Sequence, residues 1–81
     1  MSKEKPEVGD IFYDGCHRIR IDDEVYDRLN CFYCYILIGG EDEEETYIEN
    51  EILSLDILQN KCTYLGKSKV SIKELFDVAE D

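Results

Sequence analysis

Positively charged residues are scarce in this chain, and that scarcity excludes several classes of partner. Nine lysines and arginines stand against twenty aspartates and glutamates, which gives a formal net charge of −11 at pH 7. Such a charge repels nucleic acid and anionic membranes and favours a basic protein as partner. The sequence also lacks an apolar run of about 18 residues that could span a membrane, and it lacks a basic-then-apolar leader. We therefore expect a cytoplasmic location, with no direct contact to nucleic acid or membrane.

Residues that usually carry catalysis are also few. His17 is the only histidine, and its neighbour Cys16 would point to the opposite face of a strand. The acidic run at residues 41–45 lacks the glycine-punctuated Asp and Asn alternation of a calcium loop. We expect no enzymatic activity, no cofactor and no metal.

The residues that are present suffice for one folded domain. Hydrophobic residues make up 43% of the 81 residues, and six tyrosines with three phenylalanines are too many for a disordered acidic tail. A chain of this length has room for a single core of modest stability.

The cysteines could form disulfides, bind zinc or pack as small hydrophobic side chains. They are Cys16, Cys31, Cys34 and Cys62. Reducing compartments disfavour disulfides. The cysteines and His17 could supply a zinc set, but Cys31 and Cys34 would point to opposite faces of an extended strand. Packing is the favoured role, and a zinc-binding β module is the remote alternative.

Residues 31–38 form the centre of the predicted fold. They carry no charge and are rich in β-branched and aromatic side chains, which is typical of a strand covered on both faces. One face would hold a core set of Phe32, Cys34, Ile36 and Ile38. The other would hold Tyr33 and Tyr35, which either pack under a neighbouring segment or form an exposed contact pair.

Shorter elements surround this strand. Residues 1–7 should be frayed. Residues 8–13 predict a strand, Asp14-Gly15 predicts a type I′ hairpin, and residues 16–21 predict a returning strand with Arg18 and Arg20 outward. Residues 22–24 break that alternation, and residues 27–30 predict the turn before the central strand. Later segments predict a strand at 46–50, a short helix at 55–59 capped by Ser54, and a last strand at 62–65.

The final segment predicts a helix over residues 72–80. Ser71 and Glu74 have the spacing of a capping box, with Val70 and Leu75 as a hydrophobic staple. Ile72, Leu75, Phe76 and Ala79 then form one apolar stripe that would dock on the sheet. The fold class is therefore mainly β with a C-terminal helix: four or five antiparallel strands in a small barrel or curled sheet.

The order of these elements is the basis of a resemblance. Residues 8–12, residues 18–21, a strand ending at Gly39-Gly40 and the segment 55–65 resemble the small Src-homology-3-like β-barrels of phages and mobile elements. The resemblance covers residues 8–66, and the terminal helix would be an addition to it. It implies the fold type and a mobile-element setting.

The acidic residues cluster in segments and suggest a function by their charge. A shaped acidic surface can occupy the basic groove of a nucleic-acid-binding protein, as in the nucleic-acid mimics that phages use against restriction enzymes and RNA-guided nucleases. We expect a non-catalytic inhibitor of this anti-restriction or anti-CRISPR type, with a basic host protein such as a nuclease as partner. The alternative is a structural or scaffold module whose acidic run is only a solvated loop. The candidate partner-binding residues are Asp22, Asp23, Glu24, Glu41, Asp42, Glu43, Glu44, Glu45, Glu49, Glu51, Tyr33 and Tyr35.

Overall fold

Five antiparallel strands form one open sheet. The computed structural model describes residues 5–39, 47–68, 76 and 78. Its elements are β1 (Asp10–Tyr13), β2 (Arg18–Glu24), β3 (Cys31–Ile38), β4 (Tyr47–Ser54), α1 (Leu55–Asn60) and β5 (Thr63–Lys67). The strand order is β4-β3-β2-β1-β5. The predicted mainly-β, antiparallel class is confirmed, and the five strands form one open sheet.

The core lies on one face of the sheet, which we call the core face. β3 has the predicted bounds, and its core set is confirmed: Phe32, Cys34 and Ile36 are buried, and Ile38 packs against them. β1 and β2 add Phe12, Ile19 and Ile21 to the same cluster, and α1 covers it with the fully buried Leu58. Alternation of side chains along strands explains why the pattern predicted these contacts.

The connection between β1 and β2 is a hairpin, but its turn differs from the prediction. The last paired residues are Tyr13 and Arg18, so the loop has four residues. Among the described residues with positive φ, Gly15 is present and Asp14 is not, which excludes the type I′ turn. The Asp14 carboxylate instead accepts hydrogen bonds from the amides of Cys16 and His17, at 2.8 and 2.6 Å. This local bonding favours an Asx-type loop over the tighter turn.

Strand boundaries shift from the predicted ones at both ends of this hairpin. β1 begins at Asp10, because Val8 and Gly9 form a turn in which the Asp10 amide donates to the Glu7 carbonyl at 3.0 Å. β2 runs on through Glu24, since a register shift between Ile21 and Asp23 absorbs the break in alternation as a bulge. Pro6 is buried beside this turn.

The second half of the chain follows the predicted order with longer strands. β4 continues four residues beyond the predicted Asn50, to Ser54. The predicted cap is confirmed, because the Ser54 hydroxyl accepts from the Ile57 amide at 3.3 Å and α1 follows it. β5 begins at Thr63 and includes Gly66, beside a register shift in its pairing with β1.

The opposite, outer face of the sheet is covered over β1 and β2. Ile11 lies on this face opposite Arg20 and is fully buried. The Arg18 guanidinium donates to the Phe76 carbonyl at 3.0 Å, and Phe76 itself is buried. Arg20 was predicted to point outward but is half-buried, because Ile11 and Tyr35 flank it on the neighbouring strands.

Two predicted features lie outside the described residues. They are the acidic run at 41–45 and most of the C-terminal helix at 72–80, including its capping box. Of that helix segment the structure describes Phe76, in a turn, and Val78, which forms an isolated antiparallel bridge with Ser68.

Candidate protein-binding surface

The sheet brings two separate acidic segments to opposite sides of β3. On one side the end of β2 carries Asp22 to Glu24, with Asp23 opposite Tyr33. On the other side β4 places Glu51 opposite Cys34. Residues that are distant in sequence therefore become neighbours across a single strand. This follows from the meander order, in which β3 pairs with both segments.

A shallow pocket of about 180 Å³ lies between these segments on β3, and we call it the β3 pocket. Tyr33 is 44% exposed at this pocket, and Tyr35 is half-buried. Tyr33, Tyr35 and Asn50 belong to the outer face and Glu51 to the core face, so the lining residues come from both faces of the paired strands. The residues that line it are Asp22, Tyr33, Cys34, Tyr35, Asn50 and Glu51.

The Cys34 thiol lies in the core, close to both acidic segments. Burial raises the pKa of Cys34 to about 12, and Cys62, Glu51 and Asp22 act in the same direction, against a backbone hydrogen bond at Leu53. Cys34 is 2% exposed, and its thiol donates to the Phe32 carbonyl oxygen at 3.5 Å. Both acidic segments therefore act on the same point of β3, where they favour cations and disfavour anions.

This combination of groups suits the recognition of a cationic side chain. Carboxylates form charge-assisted hydrogen bonds with Arg and Lys, and the faces of tyrosine rings attract cations. Asn50 adds an amide that can donate or accept a hydrogen bond. Asp22, Tyr33, Tyr35 and Asn50 therefore offer the group types that contact an arginine or lysine of another protein.

A second concave surface, the loop groove, adjoins the end of β2. Two neighbouring pockets of about 330 and 320 Å³ share Lys5, Asp23, Glu24 and Phe32 as lining residues. The Lys5 ammonium lies 3.8 Å from the Glu24 carboxylate, and both side chains are mostly exposed. Such an exposed pair contributes little stability. At the rim, Tyr26 and Leu29 are almost fully exposed.

The four cysteines are free and do not form a disulfide. Cys31 and Cys34 lie on opposite faces of β3, since Cys31 pairs with Ser54 and Cys34 with Glu51. Cys16 is exposed in the first hairpin loop. Within residues 5–39, 47–68, 76 and 78, no group of three His, Cys, Asp or Glu side chains is close enough to hold a metal ion.

The structure unites some of the predicted site residues and separates others. Asp22, Glu51 and the two tyrosines all line the β3 pocket, but Glu51 lies on the core face and the tyrosines lie on the outer face. Asp23 and Glu24 line the loop groove. Glu49 is exposed on β4 opposite Ile36. Glu41, Asp42, Glu43, Glu44 and Glu45 lie outside the described residues.

Several surface residues were missed by the sequence patterns. Asn50 is paired with Tyr35, and this neighbour relationship depends on the register of β3 and β4. Ile48 and Ile52 are 46% and 39% exposed although both are large and apolar. The only sequence signal for them was their position on a strand that also carries Glu49 and Glu51.

Comparisons with protein-family models, curated proteins and solved structures found no match for this chain. Among the helices that the structure describes, none has the length and apolar character needed to cross a membrane.

Proposed function

We propose that this chain is a non-catalytic, acidic protein-binding inhibitor that acts in the cytoplasm on a basic nucleic-acid-binding protein. The observation that carries the proposal is the placement of two acidic segments on either side of β3, with Asp22 lining the β3 pocket beside Tyr33 and Tyr35. A basic nucleic-acid groove presents Arg and Lys side chains, and these are the groups that such a surface attracts.

The net charge supports the same partner class. A chain of −11 is steered toward a basic groove and away from nucleic acid itself. By occupying that groove, the protein would exclude the nucleic acid and inhibit the enzyme, for example a nuclease. The sequence resemblance to Src-homology-3-like barrels implies a phage or mobile-element setting, and in that setting an inhibitor of this kind would have an anti-defence role of the anti-restriction or anti-CRISPR type.

A second candidate function is a structural interaction module. Tyr33, Ile48 and Ile52 are exposed on the outer face, and Tyr33 pairs directly with Ile52. An apolar patch of this kind can mediate contact with a partner of any charge. In that case the acidic residues would serve mainly to keep the protein soluble.

Displacement of nucleic acid tests the first function. The immobilised protein is used to capture binding proteins from cell lysate, and each captured protein is then loaded with a labelled oligonucleotide. We expect this chain to displace the oligonucleotide as its concentration rises. We also expect the affinity to fall as salt is raised, since exposed charges are screened.

Matched variants locate the contact. Asp22→Asn with Glu51→Gln removes one charge on each side of β3 and should slow association with the target. Glu80→Gln with Asp81→Asn removes the same number of charges near the C-terminus and should change association less. A ternary complex that retains the oligonucleotide would contradict the proposed inhibition and favour the structural module.

A further inference from the structure

β4 is an edge strand with an open side. Within the described part of the chain its only strand neighbour is β3, and residues 47–52 are all exposed. The outward backbone amides and carbonyls of an edge strand can pair with another chain. β4 is eight residues long, which is enough to pair with an added strand.

The two faces of β4 differ in character. Glu49 and Glu51 lie on the core face, because they pair with Ile36 and Cys34. Ile48 and Ile52 lie on the outer face, where they pair with Leu37 and Tyr33. A strand added at this edge would therefore meet acids on one face and apolar side chains on the other.

A second copy of the chain is a poor occupant of this edge. In the fullest antiparallel registers of β4 with itself, Glu49 stands opposite Glu51, or Glu51 stands opposite its own copy. Like charges directly opposite each other destabilise a strand pair. Acidic side chains on an edge strand thus discourage self-association while leaving the backbone groups available to a strand of opposite charge.

We propose that β4 accepts an extended segment of a basic partner as an additional strand of the sheet. In this segment Lys or Arg would stand opposite Glu49 and Glu51, and apolar residues would stand opposite Ile48 and Ile52. Backbone hydrogen bonds supply affinity in this mode, and alternate side chains supply specificity. The expected basic character of the segment rests on the proposed function, whereas the pairing mode rests on the edge itself.

The test uses a capped synthetic peptide in which valine and lysine alternate. Hydrogen exchange of the protein's amides is followed by NMR with and without peptide. At a peptide concentration about ten times the dissociation constant, exchange of the outward amides of β4 should slow about tenfold, because the peptide must leave before they exchange. Amides of β5, at the other edge of the sheet, serve as the internal control.

Two control peptides separate strand pairing from simple charge attraction. A version with N-methyl groups on alternate residues keeps its charge but loses backbone donors, and it should not protect β4. A peptide of alternating valine and glutamate should also fail. Equal protection by the N-methylated peptide would overturn the proposal, as would protection confined to residues outside β4.

Charge reversal on the protein gives a second, independent measurement. Glu49→Lys with Glu51→Lys should exchange the preference, so that the valine–glutamate peptide protects β4 and the valine–lysine peptide does not. Asp27→Lys with Glu80→Lys makes the same change in net charge elsewhere and should retain the original preference. Protection of β4 that rises with protein concentration in the absence of peptide would identify a second copy as the occupant and overturn the proposal.

The peptide experiment contains no nucleic-acid-binding protein, so its outcome is separate from the displacement test. If the peptide pairs with β4 but the protein does not displace nucleic acid, the edge site is supported and the proposed inhibition is wrong. Displacement without peptide pairing would retain the inhibition and reject the edge site.

Discussion

The guanidinium of Arg18 donates a hydrogen bond to the backbone carbonyl of Phe76 at 3.0 Å, a contact that joins two residues 58 positions apart. Arg18 belongs to β2 and lies on the outer face of the sheet. The contact therefore ties Phe76 to the side of the sheet that the main core does not use. With Ile11 buried on that same face, the described structure has apolar packing on both sides of β1.

Truncating Phe76 should destabilise the fold. Its side chain is 7% exposed, and Phe76→Ala should cost about 3 kcal/mol, because it removes buried apolar area and leaves a cavity. Tyr26→Ala is the control, since Tyr26 is fully exposed and should change stability by less than about 0.5 kcal/mol. Urea unfolding measures both. An unchanged midpoint for Phe76→Ala would show that the C-terminal segment is an appendage of the sheet.

Asp14 should make stability depend on acid pH. Partial burial acts to raise the pKa of this carboxyl, but hydrogen bonds from the His17 and Cys16 amides and the nearby His17 charge outweigh it, so the pKa lies below its usual range. The unfolded chain then binds more protons than the folded one in this window. The stabilisation is complete above the ordinary aspartate range near pH 4 and is lost as pH falls through the lower folded pKa.

Asp14→Asn tests this contribution, because asparagine keeps an acceptor oxygen but has no charge to titrate. We expect the variant's free energy of unfolding to vary less between about pH 5 and pH 2 than that of the parent. Urea titrations at several pH values measure the two slopes. Identical slopes would show that Asp14 is not a source of the acid dependence.

The cysteines should differ widely in reactivity. Burial raises the pKa of Cys34 to about 12, and burial likewise raises the pKa of Cys62. Since the thiolate is the reactive form, iodoacetamide at pH 8 should modify the exposed Cys16 first and leave Cys34 unmodified until the protein is unfolded. Mass spectrometry of timed samples gives the order. Faster modification of Cys31 and Cys34 after addition of a chelator would instead favour the zinc alternative.

Much of the sheet could be predicted because its strands alternate. The alternation that places Arg18 and Arg20 outward also places Ile19 and Ile21 inward, and both isoleucines are 1% exposed. The uncharged run of β3 predicts a buried strand, because an apolar run of this length bounded by turn residues is rarely exposed. The predicted range of this strand, 46–50, is shorter than β4. The reason is that Glu49 and Glu51 occupy core-face positions, where alternation predicts apolar side chains. At the edge of the sheet those positions are exposed, so the charges are tolerated.

The details that sequence reasoning missed depend on hydrogen bonds and strand pairing that compete with the locally preferred conformation. Asp14-Gly15 fits a type I′ turn by residue type, yet the Asp14 carboxylate can bind the next amides and so favours a longer loop. The bulge at Asp22 is similar, since only pairing with β3 reveals that an extra residue can be absorbed. Residue propensities describe single positions, whereas the loop at Asp14 and the bulge at Asp22 arise from interactions between two residues or two strands.

The candidate site was predictable in its residue types and not in its arrangement. Asp22 and Glu51 were chosen for their charge, and Tyr33 for its amphipathic ring. Their placement around β3 depends on the strand order and on the register of β2, β3 and β4. The exposed Ile48 and Ile52 could not be recognised, because apolar residues on a strand are normally assigned to a core.

The pairing of β1 with β5 has a consequence for the order of synthesis. β1 lies between β2 and β5, so one side of it can pair as soon as β2 leaves the ribosome. Its other side must wait until Thr63–Lys67 have emerged. During that interval β1 is itself an open edge, and a nascent chain paused there would be vulnerable to pairing with its neighbours on the same message. A longer delay between the emergence of β2 and the emergence of β5 should therefore lower the yield of folded protein.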